Sequence, residues 1–208
     1  MIEKDAIQFF YDMDDIFYQA NLKYIPFLGT LLGAIRENRF IPIDKDLDLA
    51  VLHEDFVNKA GILLSLFIKN KFKAGYKHHK NPKIKENNPI TGIYIAKYNI
   101  HGDICCLFKI KNYRYYPRTQ CVIIDKNTKQ PKTIYNETLV YKSEDIENLK
   151  QIKFYNRTIN VPINSEKILE ETYGKDWRIP HTKFQGTKFT DFPCGKLPKG
   201  EDELWWAE

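Results

Sequence analysis

The chain is poor in cysteine and has no long apolar run. Its four cysteines show neither C-x-x-C spacing nor a disulfide framework, which argues against a stapled secreted domain. No stretch approaches the roughly 18 consecutive apolar residues of a membrane-spanning helix. The amino terminus, MIEKDAIQFF, carries acidic residues early and lacks a small-residue cleavage site, unlike a secretory signal. We therefore expect a cytoplasmic protein without a transmembrane segment, with peripheral attachment at the inner membrane face left open.

A strong excess of one charge is also lacking. Lysine and arginine number 32 against 27 acidic residues, a formal net charge of +5 over 208 residues. This mild balance suits an enzyme with anionic substrates, and no nucleic-acid partner is expected from it. Hydrophobic residues make up 43% of the chain, enough for a sizeable core, so extensive disorder is not expected. We predict one catalytic domain over residues 1–180 and an irregular tail over 181–208 that packs on the domain or on a partner.

The most informative segment is GTLLGAIRENRFIPIDKDLDLA, residues 29–50. It ends with Asp44, Asp46 and Asp48 at alternate positions. Alternate residues of a strand share one face, and the apolar residues between them face a core. Carboxylates crowded on one face repel, so they need either open water or a bound cation. The first alternative is a solvated edge strand. The second is Mg²⁺ or Mn²⁺, because Mg²⁺ is commonly held by one or two carboxylates plus substrate phosphates.

Other residues complete this predicted site. Gly29 allows close approach to the backbone, Thr30 can cap the helix that follows, and a helix amino end favours phosphate. Arg36 is expected to clamp that phosphate, with a surface salt bridge to a nearby acid as the alternative. Asp103 is the candidate third carboxylate, because it opens the apolar strand GDICCLF, where an isolated charge would be costly. Asp44, nearer the start of its strand, is expected to lie behind the metal ligands.

Hydrophobic periodicity gives the order of elements. The predicted elements are a helix over 3–20, a strand over 24–28, a helix after Gly29, a strand over 43–52, a helix over 55–70, strands over 92–100, 102–110, 121–125 and 154–162, and a helix from Ser165 to Gly174. The initial βαβα order indicates an α/β or α+β class. We expect a kink or a tight junction at His101–Gly102 and buried thiols at Cys105 and Cys106. The basic segment 69–85, with His78–His79, is either a solvated loop or edge strand, or it faces a phosphate or acceptor.

Two blocks of the sequence resemble a known family. FLGTLLGAIRENRFIPIDKDLDLAV, residues 27–51, is similar to the signature of the LicD/fukutin-type phosphotransferases, a branch of the nucleotidyltransferase-fold superfamily. KILEETYGKDWRIP, residues 167–180, resembles the carboxy-terminal signature of the same family, with Tyr173 and Trp177 in step. Two motifs in the correct order are more specific than one D-x-D pair. One departure is Ile43, where family members usually have tryptophan, and it bears on the identity of the donor alcohol.

The resemblance implies a nucleotidyltransferase-like mixed sheet flanked by helices. It implies that a phosphorylated alcohol, such as phosphocholine or phosphoribitol, moves from a CDP-activated donor to a sugar hydroxyl of a glycan or lipid-linked acceptor, releasing CMP with help from Mg²⁺. Asp46 and Asp48 match the metal-binding pair, and Asp103 resembles the third carboxylate, as a metal ligand or as a base. Gly29 and Thr30 match the turn near the donor phosphates. The acceptor stays open among lipopolysaccharide, capsule, teichoic acid and glycoprotein glycans.

Several alternatives stay open from the residues alone. A nucleotidyltransferase that moves NMP from an NTP to a small molecule, protein or RNA would use the same turn and carboxylate pair. A non-catalytic module would bind an acidic polymer through residues 69–85, although aspartates on one face would repel a phosphate backbone. Tyr173 and Trp177 either flank the active site and stack a ligand ring, or cover the core at a helix end.

Overall fold

The computed structural model describes residues 3–44, 46–78, 90–117, 121–124, 131–134 and 138–180. Within these ranges the helices are α1 (Glu3–Gln19), α2 (Leu28–Arg36), α3 (His53–Val57), α4 (Ala60–Lys69), α5 (Ser143–Glu147) and α6 (Ser165–Tyr173). The strands are β1 (Ile25–Pro26), β2 (Asp46–Leu52), β3 (Lys73–His78), β4 (Ile90–Lys97), β5 (Ile100–Ile110), β6 (Tyr113–Pro117), β7 (Cys121–Ile124), β8 (Pro131–Ile134), β9 (Thr138–Lys142), β10 (Leu149–Phe154) and β11 (Arg157–Pro162). The tail expected over 181–208 lies outside the described residues. In the part of the chain that is described, no helix is both long and apolar enough to cross a bilayer.

A mixed sheet forms the centre of the molecule. Its strand order is β1-β2-β5-β4-β3, and β6 and β9 extend it from β5, giving seven strands. Strands β2 and β5 run parallel, whereas the neighbouring pairs around them are antiparallel. Strands β10 and β11 form a separate hairpin, and β7 pairs with β8. This architecture confirms the predicted α/β (α+β) class, with a mixed sheet and flanking helices.

Helix α1 covers one face of this sheet. Its apolar residues recur at helical spacing and are buried, namely Ala6, Phe9, Phe10, Met13, Ile16 and Phe17. Phe9 reaches the sheet at Gly102, where an added Cβ would lie 3.2 Å from the phenyl Cε1. On β2, Leu47 and Leu49 are each 1% exposed, which confirms the predicted apolar side of that strand. Because side chains alternate along a strand, the neighbouring aspartates project from the opposite face.

Two helices differ from their predicted form. The helix expected over 55–70 is two helices, because α3 ends at Val57 with Asn58 as its C-cap and α4 begins at Ala60 with Lys59 as its N-cap. Ser165 does not cap α6: the N-cap is Asn164, and the Ser165 hydroxyl donates to the Pro162 carbonyl instead. The other end agrees with the sequence, since Gly174 is the C-cap with φ of 89°.

Two turns of the chain lie at other positions than the sequence predicted. The strand expected over 154–162 is the β10–β11 hairpin, which turns at Tyr155 with φ of 50°. The prediction of a kink or tight junction at His101–Gly102 is wrong, because both residues lie within β5. The chain turns just before them, at Tyr98 and Asn99, with φ values of 54° and 59°. Two successive positive φ values are typical of the tight hairpin turn that suits twisted strands.

A buried arginine ties the sheet to two helices. Arg114 on β6 is 1% exposed. Its Nε donates to Glu147 Oε1 on α5 at 2.6 Å, and its Nη1 donates to Glu54 Oε2 on α3 at 2.7 Å. A guanidinium this deeply buried requires charged partners, and these two carboxylates provide them. The cluster therefore fixes α3 and α5 against one end of β6.

Replacing this guanidinium should cost substantial stability. Arg114→Met keeps an apolar stem but leaves two carboxylates without their cation, so we expect the free energy of unfolding to fall by about 3 kcal/mol. Urea unfolding followed by circular dichroism measures the change. Arg39→Met is the matched control, because the Arg39–Glu3 pair is exposed, with side-chain exposures of 45% and 46%. Loss of such a pair should cost at most about 1 kcal/mol. Equal losses in the two variants would contradict the stabilising role of the buried cluster.

Candidate functional site

Strand pairing places four residues in one row across the sheet. Asp48 on β2 lies opposite Asp103 on β5. Asp103 lies opposite Tyr94 on β4, which lies opposite Gly75 on β3. Directly opposed residues of neighbouring strands project from the same face. The structure thus places Asp103 on the strand beside Asp48, where the sequence located the third carboxylate, while its chemical role stays a prediction.

Two more carboxylates belong to this face. Asp46 opens β2, is exposed, and lies two positions before Asp48 on the same side of the strand. Asp44 precedes the strand, which begins later than expected, and its carboxylate lies beside Gly29. We call Asp44, Asp46, Asp48 and Asp103 the acidic cluster. Its members come from one loop and two parallel strands, so the sheet itself brings like charges together.

The crowding of charge is clearest at Asp48. Burial raises the pKa of the Asp48 carboxyl well above its ordinary value, and the charges of Asp46, Asp103 and Asp44 raise it further. The ammonium group of Lys77 acts in the opposite direction and does not cancel the rise. The acidic cluster therefore carries negative charge that favours either a proton or a bound cation.

The backbone of Asp48 is held from both sides. Its N–H donates to Thr30 Oγ1 at 2.8 Å, and its carbonyl accepts from the Phe27 N–H at 2.9 Å. Thr30 is 4% exposed, so water does not compete for its hydroxyl. The predicted capping role of Thr30 is wrong, because the N-cap of α2 is Phe27 and makes no side-chain cap. Thr30 instead fixes the direction in which β2 presents the Asp48 carboxylate.

Gly29 makes room for Asp44 at the start of α2. A Cβ at position 29 would overlap Asp44 Oδ2, so any larger residue would displace that carboxylate. The amino end of a helix stabilises negative charge. At the amino end of α2 that negative charge is the Asp44 carboxylate, in the place where the sequence predicts a donor phosphate. Leu28, the first residue of α2, has φ of 44°, which is strained for leucine. The strained turn carries the chain from β1 directly into the helix.

Three predicted substrate-binding residues are engaged elsewhere. Arg36 pairs with Glu37, and its Nη1 donates to the Trp177 carbonyl at 3.1 Å. The structure thus shows the salt-bridge alternative, and the phosphate clamp stays a prediction. Trp177 is 4% exposed, and a buried ring offers no face for stacking a ligand. Its predicted rim role is therefore corrected to packing. Tyr173 ends α6 and packs, partly buried, against the core.

Two residues that the sequence did not single out lie beside the acidic cluster. Lys77 Nζ lies 2.8 Å from Asp103 Oδ2. The Tyr94 ring lies over Gly75, and a Cβ added to Gly75 would be 2.6 Å from the ring. Tyr94 is 49% exposed. An exposed ring beside carboxylates offers a stacking surface for a sugar or base. The sequence signal for Lys77 was the basic segment 69–85, which was predicted to be either a solvated loop or edge strand, or a surface that faces a phosphate or acceptor. Strand β3, residues 73–78 of this segment, is an edge strand of the sheet, and residues 79–85 lie outside the described residues. The contact with Asp103 follows only from the pairing of the strands.

The donor set suits a hard divalent cation in part. Carboxylate oxygens are the ligands that Mg²⁺ prefers, and the raised pKa of Asp48 indicates that a nearby cation would be stabilised. Among the described residues, no group of three or more Asp, Glu, His or Cys side chains is arranged to hold a metal ion. Asp46 and Asp48, two positions apart on one side of β2, could supply carboxylate ligands, and phosphate oxygens and water would have to supply the others. Asp103 is held by Lys77 in this structure.

Comparisons with known proteins show the family of the chain. The family model described as LicD/FKTN/FKRP, nucleotidyltransferase domain, matches residues 21–164, which include the block at 27–51. The ribitol-5-phosphate transferase FKTN of Homo sapiens is 25% identical over 153 residues, 73% of this chain and 28% of that protein. The uncharacterized protein RT0683 of Rickettsia typhi is 41% identical over 64 residues, 29% of this chain and 21% of that protein. The chain thus matches only about a fifth to a quarter of the length of these relatives.

A solved structure with a similar region is that of ANT(2")-Ia in complex with adenylyl-2"-tobramycin. The similarity covers 52% of this chain and 53% of that one, at 14% identity and a TM-score of 0.37.

Removing the Asp48 charge should stabilise the metal-free protein at neutral pH. The folded-state pKa of Asp48 is raised, so its ionisation destabilises the fold as pH rises above the ordinary value of 3.8, and fully so above the folded-state pKa. Asp48→Asn should therefore raise the melting temperature at pH 7 in the presence of a chelator. At pH below 3.8 the carboxyl is protonated in both states, and the variant should gain nothing. Thermal unfolding measured across this pH range tests the expectation.

Asp12→Asn is the control of opposite sign. Burial pushes the pKa of Asp12 up, but hydrogen bonds from Lys97 and Gln8 outweigh it and leave that pKa below its ordinary value. The ionised form of Asp12 is thus stabilising, and its removal should lower the melting temperature at neutral pH. A lower melting temperature for Asp48→Asn as well would contradict the charge crowding inferred for the acidic cluster.

Proposed function

The chain belongs to the LicD/FKTN/FKRP family, and from that premise we propose that it transfers a phosphorylated alcohol from a CDP-activated donor to a sugar hydroxyl of a cell-surface glycan, releasing CMP. The observation that carries this proposal is the position of Asp46 and Asp48 on a strand whose backbone is bound to Thr30 of α2. Relatives in this family are ribitol-5-phosphate transferases, so phosphoribitol is the first group to test, followed by phosphocholine.

In this proposal Asp46 and Asp48 hold Mg²⁺ or Mn²⁺ against the donor diphosphate. Such a cation, when bound, neutralises charge on the diphosphate and on the departing CMP. The acceptor oxygen forms a bond to the phosphorus that carries the alcohol, and the bond from that phosphorus to the CMP oxygen breaks. The hydroxyl proton passes to a carboxylate of the acidic cluster. The protein contributes mainly position and charge, as is general for phosphoryl transfer.

A second candidate is a nucleotidyltransferase that moves NMP from an NTP to a small molecule, protein or RNA. The name of the matched domain favours it, and the same carboxylate pair would serve the reaction. The two functions release different products, because CDP-alcohols yield CMP whereas NTPs yield pyrophosphate.

An assay of released products separates these functions. The protein is incubated with Mg²⁺, a glycan acceptor and either CDP-ribitol, CDP-choline, CDP-ethanolamine, CDP-glycerol or an NTP. We expect CMP from one of the CDP-alcohols, and the productive donor should also raise the melting temperature. Pyrophosphate from an NTP would favour the second candidate. Salt-sensitive binding of an anionic polymer that survives loss of Asp46 and Asp48 would favour a non-catalytic module.

Removing the charge of Asp46 or of Asp48, the two proposed metal ligands, should abolish most of the turnover. Asp46→Asn and Asp48→Asn keep the shape of the side chain but remove its charge, and we expect kcat to fall by about three orders of magnitude or more. Asp15→Asn is the control, because Asp15 lies on α1 in an exposed ion pair with Arg157, and its kcat should stay within about twofold of wild type. Near-full activity in a folded Asp46 or Asp48 variant would show that the ligand assignment is wrong.

A further inference from the structure

Lys77 reaches the acidic cluster from an edge strand. It lies opposite Gly92 of β4, and Gly92 lies opposite Cys105 of β5. Because Gly92 carries no side chain, the lysine stem can cross β4 above it. The ammonium group reaches β5 at Asp103, two positions before Cys105 on the same face, and Nζ lies 2.8 Å from Asp103 Oδ2. The contact therefore joins the two outer strands of a three-strand region on the face that carries the aspartates.

The Lys77–Asp103 ion pair leaves Asp48 under the influence of several negative charges. Asp48 senses the charges of Asp46, Asp103 and Asp44, which add to the effect of its own burial. Lys77 is the cation that opposes them at Asp48, and it brings a single positive charge. A divalent cation and a donor diphosphate would change this balance, because the cation satisfies the carboxylates while the phosphates require a positive partner.

The Lys77–Asp103 pair can also be exchanged at low cost. The two side chains are 27% and 37% exposed, so water and ligands reach both. Ion pairs with this degree of exposure contribute about 0 to 1 kcal/mol. While the pair is formed, the carboxylates within the described ranges make no three-ligand group suited to a metal ion.

We infer that Lys77 is a built-in counter-cation that exchanges partners when the donor binds. Without ligand, the Lys77 ammonium group contacts the Asp103 carboxylate, where a metal cation would otherwise bind. With divalent cation and donor, Asp103 turns to the cation as its third carboxylate, and Lys77 turns to the donor phosphates. The inference rests on the proposed function, because it requires a metal-bound nucleoside diphosphate at the acidic cluster. It also assigns a phosphate contact to β3, whereas Arg36 is paired with Glu37.

Two binding measurements on Lys77→Gln should move in opposite directions. The first is an Mn²⁺ titration without nucleotide, followed by electron paramagnetic resonance. Removal of the competing ammonium should tighten Mn²⁺ binding about fivefold. The second is CDP binding at saturating Mn²⁺, followed by calorimetry. Loss of a charged partner for the phosphates should weaken CDP binding about tenfold or more. Neither readout depends on turnover.

Lys150→Gln is the matched control. Lys150 is exposed and lies on β10, in the separate β10–β11 hairpin rather than in the sheet that carries the acidic cluster. Its variant should bind Mn²⁺ and CDP as the wild type does. Lys77→Arg keeps the positive charge and should leave Mn²⁺ binding near the wild-type value. Equal changes in the Lys150 and Lys77 variants would reflect the net charge of the protein alone, and would overturn the inference.

The remaining outcomes separate the inference from the proposed function. If the wild type binds Mn²⁺ and CDP but Lys77→Gln changes neither affinity, or weakens both, the exchange is wrong and the proposed function stands. If the wild type binds neither probe, the proposed function and the inference fail together. Thermal unfolding of each variant confirms that it is folded before titration.

Discussion

The parallel pairing of β2 with β5 is the constraint on which the site depends. It sets Asp48 directly opposite Asp103, and the register of the whole pair follows from it. A slip by one residue would turn the aspartates into the core and Leu47 into solvent, so the apolar side of the strand holds the acidic side in place. Helix α1, packed on the far face, supplies the apolar surface that makes such a slip costly. The acidic cluster is thus maintained by burial of its neighbours and in spite of its own repulsion.

Local patterns made part of this architecture predictable. Alternation along β2 identified Asp46, Asp48 and the buried leucines, because the period of a strand is a property of successive residues. Asp103 was found through the cost of an isolated charge in an apolar strand, and its register partner then followed from the fold. Lys77 was not found, since its distance from Asp103 depends on two strand pairings distant in sequence. The positions of Arg36 and Trp177 were misjudged because a single helix does not reveal which of its faces meets α6.

Repulsion and strain are concentrated where α2 meets β2. Leu28 has a positive φ, Asp44 lies against the backbone of Gly29, and Asp48 resists ionisation. The backbone strain at Leu28 and the buried charge of Asp48 each cost free energy, and all three features lie within the stretch that matches the family model. Large opposing costs at a site are typical of binding surfaces that a ligand relieves. The hydrogen bonds of Thr30 and Phe27 to the backbone of Asp48 keep the position of this residue in spite of that cost.

Strand β5 performs two separate duties along its length. Its first part borders β2 and β4, whereas Phe108 and the residues after it border β6. Asp103 and Phe108 are five positions apart, about 17 Å of strand. Strands β6 and β9 pair with this sheet at the Phe108 end, yet the rings of Tyr116 on β6 and Tyr141 on β9 pack edge to face on Phe27. Phe27 in turn donates its N–H to the Asp48 carbonyl. A change in the packing of these two peripheral strands would therefore reach the strand that presents the carboxylates.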